Sequence, residues 1–375
     1  MTPARVMAAW SLLGCACAPD DAQRYDLGGL TVIEDFDEPI CAGTFPYFER
    51  RLRWLEQETG LPRDPRGLTY RWYLDQTQVE EACSFSLGGC TKGRTIFGNV
   101  IVFSHELVHA HLSRLGRPRV WLEEGMATML EDERSGAPHP LFTPSVMMRI
   151  DKAREVDYRA AGAFTTYLRD RYGMASLLDY YEASSDTDAA MSLAIFKEVL
   201  GDTFTDVEAD YLDGGLPDTS GSLDCDGPDV AWGSERWEHT FRLACEEPGS
   251  IGPDQIDSDG GPFLWSKVTM TAPAGWISLE LDTSGPAWVS LLSCEGFETV
   301  HVAADQPHAQ AYIAGGRYLV YVDASLEEAP VARVTARHLT AAPTLEELRP
   351  GQQQAVRSGH RPNHSPRALR PSDVM

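Results

Sequence analysis

The sequence predicts an α+β domain followed by an all-β sandwich domain, and three observations carry that expectation. From Trp121 to about Tyr211, apolar residues recur at helical spacing in one segment after another. The segment 213–222, which reads DGGLPDTSGS, is rich in Gly, Ser, Asp and Pro and has the composition of a linker. Beyond it, short runs alternate apolar and polar residues between Gly, Pro and Asp, the pattern of antiparallel strands with one buried face.

The elements follow in order. Leu30 to Phe36 reads as a strand, and Phe45 to Thr59 has helical periodicity that stops at Gly60 and Pro62. Leu68 to Leu74 alternates like a second strand, and Gln76 to Ala82 reads as a short helix. Arg94 to Phe97 is a short extended piece between Gly93 and Gly98. An amphipathic helix then runs from about Asn99 to Leu115, closed by Gly116 and Pro118. Further helices are expected over Trp121–Glu131, Tyr158–Tyr172, Met174–Ala183 and Ala189–Leu200. Strands are expected over Trp276–Leu281, Ala287–Leu292 and Gly316–Val322. The resulting divisions are 1–21 as signal and tether, 22–213 as the first domain, 214–222 as linker, 223–340 as the β domain and 341–375 as a disordered tail. That tail carries Arg349, Arg357, Arg361, Arg367 and Arg370 with no acid between them.

Charge excludes one class of partner. The chain has 56 acidic residues against 32 basic ones, a formal charge of −24, and phosphate binding needs clustered Lys and Arg. A nucleic acid is therefore not expected. At the N-terminus, Arg5 precedes an apolar run from Val6 to Leu13 that is too short to span a bilayer and suits a signal-peptide core. The run ends in Leu12-Leu13-Gly14-Cys15, which resembles a bacterial lipobox, so the membrane is expected to be met only through a lipid anchor on Cys15. A plain secretory signal is the other reading, and Cys17 is a second thiol beside it. Either way the expected location is the bacterial cell envelope or the exterior.

Six further cysteines, Cys41, Cys83, Cys90, Cys225, Cys245 and Cys294, suggest disulfides in an exported chain. Cys83 and Cys90 flank Gly88-Gly89 and suit a local bridge. Cys225 and Cys245 lie in the same later domain, which leaves Cys41 and Cys294, and spacing alone does not pair them. No CxxC pair of a structural zinc site is present.

Residues 105–109 read His-Glu-Leu-Val-His. On a helix, residues four apart share a face, so both imidazoles can reach one ion, and Glu106 sits beside the first of them to take a proton from a metal-activated water. Fifteen residues on, Glu124 lies within Trp121-Leu122-Glu123-Glu124-Gly125-Met126-Ala127, where a second helix can bring a third ligand. Gly125 and Ala127 would allow a close helix approach there. Glu123 points about 100° away on the helix and is expected to face solvent or support the ligands from outside. His111 is expected to be solvated.

These two segments resemble the gluzincins, specifically the peptidase MA-like branch, and more distantly the zinc aminopeptidases and thermolysin. The resemblance implies a zincin-like catalytic domain, with His105, His109 and Glu124 as ligands of Zn2+ and Glu106 as catalytic base. It extends to Tyr158, nine residues before Tyr167-Leu168, which by that match donates a hydrogen bond to the oxyanion. In all it covers roughly residues 30–212. One departure matters: the Gly-x-Met-Glu-Asn motif by which zinc aminopeptidases hold a free amine has no counterpart before His105. The expected partner is therefore a peptide or protein substrate cut internally, with Arg94 to Phe97 as an edge strand to pair with it, and the protein acting as a monomer.

Weaker signals stay as turns or surface. Asp257-Ser258-Asp259-Gly260 resembles part of a calcium loop, but its ligand set is incomplete. No GxSxG, Walker A or GxGxxG pattern occurs. The rival reading is a non-catalytic envelope binding lipoprotein that retains the zinc-site helices as scaffold.

Overall fold

A computed structural model describes residues 22–84, 88–100, 104–132, 139, 141–214, 225–254, 262–294, 299–326, 328 and 330–340. The signal segment, the linker, the calcium-loop fragment and the tail all lie outside the described residues, wholly or nearly so.

The first unit opens with β1 (Gln23–Asp26) and β2 (Leu30–Glu34), followed by α1 (Thr44–Thr59), β3 (Leu68–Trp72) and α2 (Gln76–Cys83). Then come β4 (Gly89–Lys92), β5 (Thr95–Gly98), α3 (Ser104–Leu112) with a single 3-10 turn over Ser113–Leu115, and α4 (Val120–Leu130). A short α5 (Pro144–Met147) precedes α6 (Tyr158–Tyr172), α7 (Met174–Ala183), α8 (Ala189–Leu200) and α9 (Phe204–Asp213). The chain is thus mixed α+β with a β-rich C-terminal part.

The five-stranded sheet has the order β1-β2-β3-β5-β4, with β2, β3 and β5 parallel and β1 and β4 antiparallel at the edges. The extended piece foreseen at Arg94 to Phe97 is therefore not an edge strand. It is β5, flanked by β3 and β4, and the free edge belongs to β4, which the alternation of its four residues was too short to reveal. The helices pack on this sheet around Leu30, Phe48, Tyr70, Trp72, Leu107, Trp121 and Phe164, all fully buried.

Local chemistry sets the helix limits. Asp157 accepts from the Ala160 amide and starts α6, and Asp188 does the same for α8 through Met191. Gly60 and Gly201 end α1 and α8 in the left-handed conformation that an L side chain adopts at a cost.

The second unit contains β6 (Arg236–Arg242), β7 (Ile251–Asp254), β8 (Phe263–Ala272), β9 (Gly275–Thr283), β10 (Ala287–Ser293), β11 (Thr299–Ala303), β12 (His308–Ile313), β13 (Gly316–Ser325) and β14 (Val331–His338). They form two antiparallel sheets, β11-β10-β13-β8-β7 and β12-β9-β14-β6. Trp237, Ile277 and Leu279 from one sheet share a core with Val268, Val320 and Val322 from the other.

The units are joined closely. Cys41 is disulfide-bonded to Cys245, and Cys225 to Cys294, so the two cysteines of the later segment that sequence grouped do not pair with each other. Cys83–Cys90 is the local bridge. Around Cys41 the backbone bonds across the junction, Ala42 to the Cys245 carbonyl and Gly43 to that of Ser250. A Cβ on Gly43 would stand 2.6 Å from the Ser250 oxygen, so only glycine admits this approach. Tyr47 of α1 meets Trp265 of β8 edge to face, with ring centroids 4.9 Å apart. Three disulfides point to an oxidising, extracytoplasmic compartment. Among the described residues no helix is long and apolar enough to cross a membrane.

Two helices of the first unit meet closely at Gly125. A Cβ there would lie 2.8 Å from the Ala161 carbonyl oxygen and 2.2 Å from Thr165 Oγ1, so α4 and α6 approach backbone to backbone. Gly125→Ala offers a gain of roughly 0.5–1 kcal/mol in helix propensity against an overpacking cost of roughly 1–3 kcal/mol. Net destabilisation is expected, read as a lower urea midpoint with an unchanged m-value.

Candidate metal centre

The centre is built from the adjacent helices α3 and α4. His105 and His109 lie one turn apart on α3, their ring centroids 4.8 Å apart, and Glu124 reaches them from α4. Glu124 Oε2 stands 3.1 Å from His105 Nε2 and 3.3 Å from His109 Nε2. One donor atom from each residue lies within 4.8 Å of the others, the one such cluster of three or more among the described residues.

Burial makes this proximity informative. His105 and Glu124 are 7% and 6% exposed, so neither can satisfy itself with water. Burial alone would raise the Glu124 carboxyl, but its hydrogen bonds with His105 and His109 outweigh that and hold it at about 2. Burial would likewise lower both imidazoles, and the contact with Glu124 instead raises them. Two nitrogens and one carboxylate oxygen so close share protons or hold one cation. In a tetrahedral site with bonds of 2.0–2.1 Å the ligand atoms stand about 3.3 Å apart, and the two contacts to Glu124 match that spacing. The donor set fits a small divalent metal with a fourth position left over.

Glu131, which the sequence reading did not single out, supports the first ligand. Its Oε2 lies 2.8 Å from His105 Nδ1. A carboxylate only accepts, so Nδ1 donates to Glu131, which fixes the ring and leaves Nε2 as the atom turned toward Glu124. The signal was present but faint: Glu131 follows Glu124 by seven residues, two helical turns on the same face.

Glu106, His109, Glu123, Glu124 and Tyr158 line one cavity of about 280 Å³, closed on its other side by Cys90 and Thr91 of β4. Thr91 Oγ1 donates to the Glu106 carbonyl at 2.9 Å and ties that edge strand to α3. Tyr158, the first residue of α6, stacks on His105 with the ring planes 9° apart and centroids 5.4 Å apart. Burial, then the charges of Glu124 and Glu106, keep its phenol protonated far above neutral pH. The two histidines and three carboxylates of the motif segments therefore meet Tyr158 at one place.

Glu123, expected in solvent or in support of the ligands, lines the same cavity beside Glu124, and burial raises its carboxyl. One expectation fails here: His111 is not solvated. It is 3% exposed and bonds Thr59 Oγ1 at 3.1 Å through Nε2, because α1 packs over that side of α3. Neither position is decided by the helix wheel of α3 or α4 alone.

No family model matches this chain, and no curated protein matches it. Solved structures it is similar to include aminopeptidase A of Legionella pneumophila in complex with aspartic acid. The identity there is 9%, the match covers 78% of this chain and 35% of that one, and the TM-score is 0.32. Another is PliG of Salmonella Typhimurium, a periplasmic inhibitor of g-type lysozyme, at 14% identity over 30% of this chain and 98% of that one, with a TM-score of 0.18. The chain thus spans about a third of the aminopeptidase's length, and neither likeness carries an argument about fold or chemistry.

Two measurements follow. Glu131→Gln should weaken metal binding about tenfold or more, read by competition with a chromophoric chelator, because an outer carboxylate of this kind typically contributes that much. Burial holds the His111 imidazole down to about 4 against 6.5 when unfolded, so the unfolded chain takes up the proton first. Its contribution is complete above pH 6.5 and lost as pH falls toward 4, by about 2 kcal/mol at pH 5. Urea unfolding at pH 7.5 and 5.0 in the presence of a chelator should show this extra acid loss in the wild type and not in His111→Gln.

Proposed function

We propose that the protein is an exported zinc-dependent peptidase in which His105, His109 and Glu124 hold Zn2+ and Glu106 is the catalytic base. The observation that carries this reading is the convergence of three donor atoms within 4.8 Å, those of buried His105 and Glu124 and of part-buried His109, at the wall of a cavity that Glu106 also lines. Two imidazoles and one carboxylate, with one position open to water, are a donor set that zinc hydrolases use.

A bound zinc ion would polarise a scissile carbonyl and acidify a water molecule. Glu106 takes the proton of the attacking water and returns it to the leaving amine. The protonated phenol of Tyr158 donates a hydrogen bond to the oxygen on which negative charge develops. Glu131 keeps the His105 ring in one tautomer and one orientation throughout.

The substrate reading is an extended peptide cut internally. The free edge of β4 runs along the cavity, and its unpaired backbone groups can add a strand of substrate. The rest of the proposal is a monomer, carried to the cell envelope by the N-terminal segment and anchored there through a lipid on Cys15.

Glu106→Gln should retain zinc by elemental analysis and lose at least about a hundredfold in kcat, the scale of a lost general base. Digestion of a defined peptide set, read by mass spectrometry, should yield internal cuts abolished by a chelator. Stoichiometric zinc without any cleavage would favour the binding-protein reading, and release of N-terminal residues alone would overturn the endopeptidase assignment.

A further inference from the structure

The segment just after α4 is held from both units of the molecule. Arg51 of α1, fully buried, donates through Nη2 to the Leu130 carbonyl at 3.0 Å. Glu131 then meets His105 Nδ1, and the Asp132 amide donates to Ser104 Oγ at 3.0 Å, one residue before His105. The Asp132 carboxylate accepts from the Tyr47 hydroxyl and lies 3.5 Å from Lys267 Nζ. Lys267 belongs to β8 of the second unit, and its side chain is 4% exposed. Its ammonium also stands over the Tyr47 ring, 4.9 Å from the centroid.

An ammonium this deeply buried requires an anion beside it, and Asp132 supplies one. Position 131 still has a helical tie, its amide bonded to the Ala127 carbonyl, whereas Asp132 lies past the helix and is placed by Ser104, Tyr47 and Lys267. Where Asp132 sits sets where the preceding carboxylate can point.

We propose that Lys267 is a positioning residue for the metal centre, through which the β unit anchors Asp132 and so holds Glu131 against His105. The inference rests on the metal-binding reading above. It makes the second unit a structural component of the centre rather than an appended module. It also accounts for a lysine on a strand whose neighbours Trp265 and Thr269, on the same face, are buried.

The test is cobalt(II) titration of the full-length chain, following visible absorption, with Lys267→Met, Lys267→Arg, Asp132→Asn and, as a control, Arg333→Met on the exposed face of β14. Lys267→Met should bind cobalt about tenfold more weakly, in the range found for residues supporting a ligand from outside, with an altered absorption envelope. Lys267→Arg should restore both, and Arg333→Met should leave both unchanged. Asp132→Asn keeps side-chain volume and carries the same expectation if Lys267→Met does not fold. Wild-type affinity and spectrum in Lys267→Met, or in Asp132→Asn in its place, would overturn the proposal alone. So would a loss in Lys267→Arg as large as in Lys267→Met, or an equal loss in Arg333→Met. A wild-type chain that takes up no cobalt would overturn the metal reading with it.

Discussion

Three polar donors must be held together where water is scarce, and the rest of the structure is arranged around that constraint. Leaving a buried carboxylate, a buried imidazole and a part-buried one unpaired would cost several kcal/mol, since each loses hydration. Bringing Glu124 to within 3.1 and 3.3 Å of the two rings converts that cost into mutual satisfaction. The contact in turn demands that α4 lie deep in the helical half, where Trp121, Leu122, Met126 and Leu130 are buried around it. Gly125, beside the ligand, permits that depth by letting α6 come close.

The same depth brings α6 into the site. Tyr158 occupies the first position of that helix, and Asp157 fixes where the helix begins by capping it. Ring and cap together place a phenol on the face of His105 without any long loop to position it. The acidic balance of the chain, −24, is expressed locally as well: Glu106, Glu123, Glu124 and Glu131 all lie within or beside one centre. Such a concentration of carboxylates raises the affinity for a cation and holds Tyr158 protonated.

The junction between the units is held by a disulfide, backbone hydrogen bonds and an aromatic contact. The Cys41–Cys245 bridge, the backbone bonds around Gly43 and the Tyr47–Trp265 contact all join the start of α1 to β7, β8 and the segment before them. α1 also carries Arg51, which grips the Leu130 carbonyl. The β unit thus meets the end of α4 both through α1 and directly through Lys267, and Ile251 and Trp265 of the β unit belong to the same core as the helical half.

Much of this was legible from local pattern. Helices over Tyr158–Tyr172, Met174–Ala183 and Ala189–Leu200 have the limits their periodicity and flanking residues imply, because capping and left-handed glycines act within one turn. The pairing of His105 with His109 follows from the pitch of a helix alone. What local pattern did not carry is whatever depends on which element packs over a given face. Glu123 enters the cavity, His111 goes inside under α1, Glu131 supports a ligand 26 positions earlier, and β4 takes the sheet edge in place of β5. Cys41 finds Cys245 across 204 residues, a choice that spacing cannot encode. The amino-acid order determined the donors and the helices that present them, since both rest on contacts within a few residues. Only the tertiary structure decided their surroundings, because burial and long-range polar contacts exist only once the chain has closed on itself.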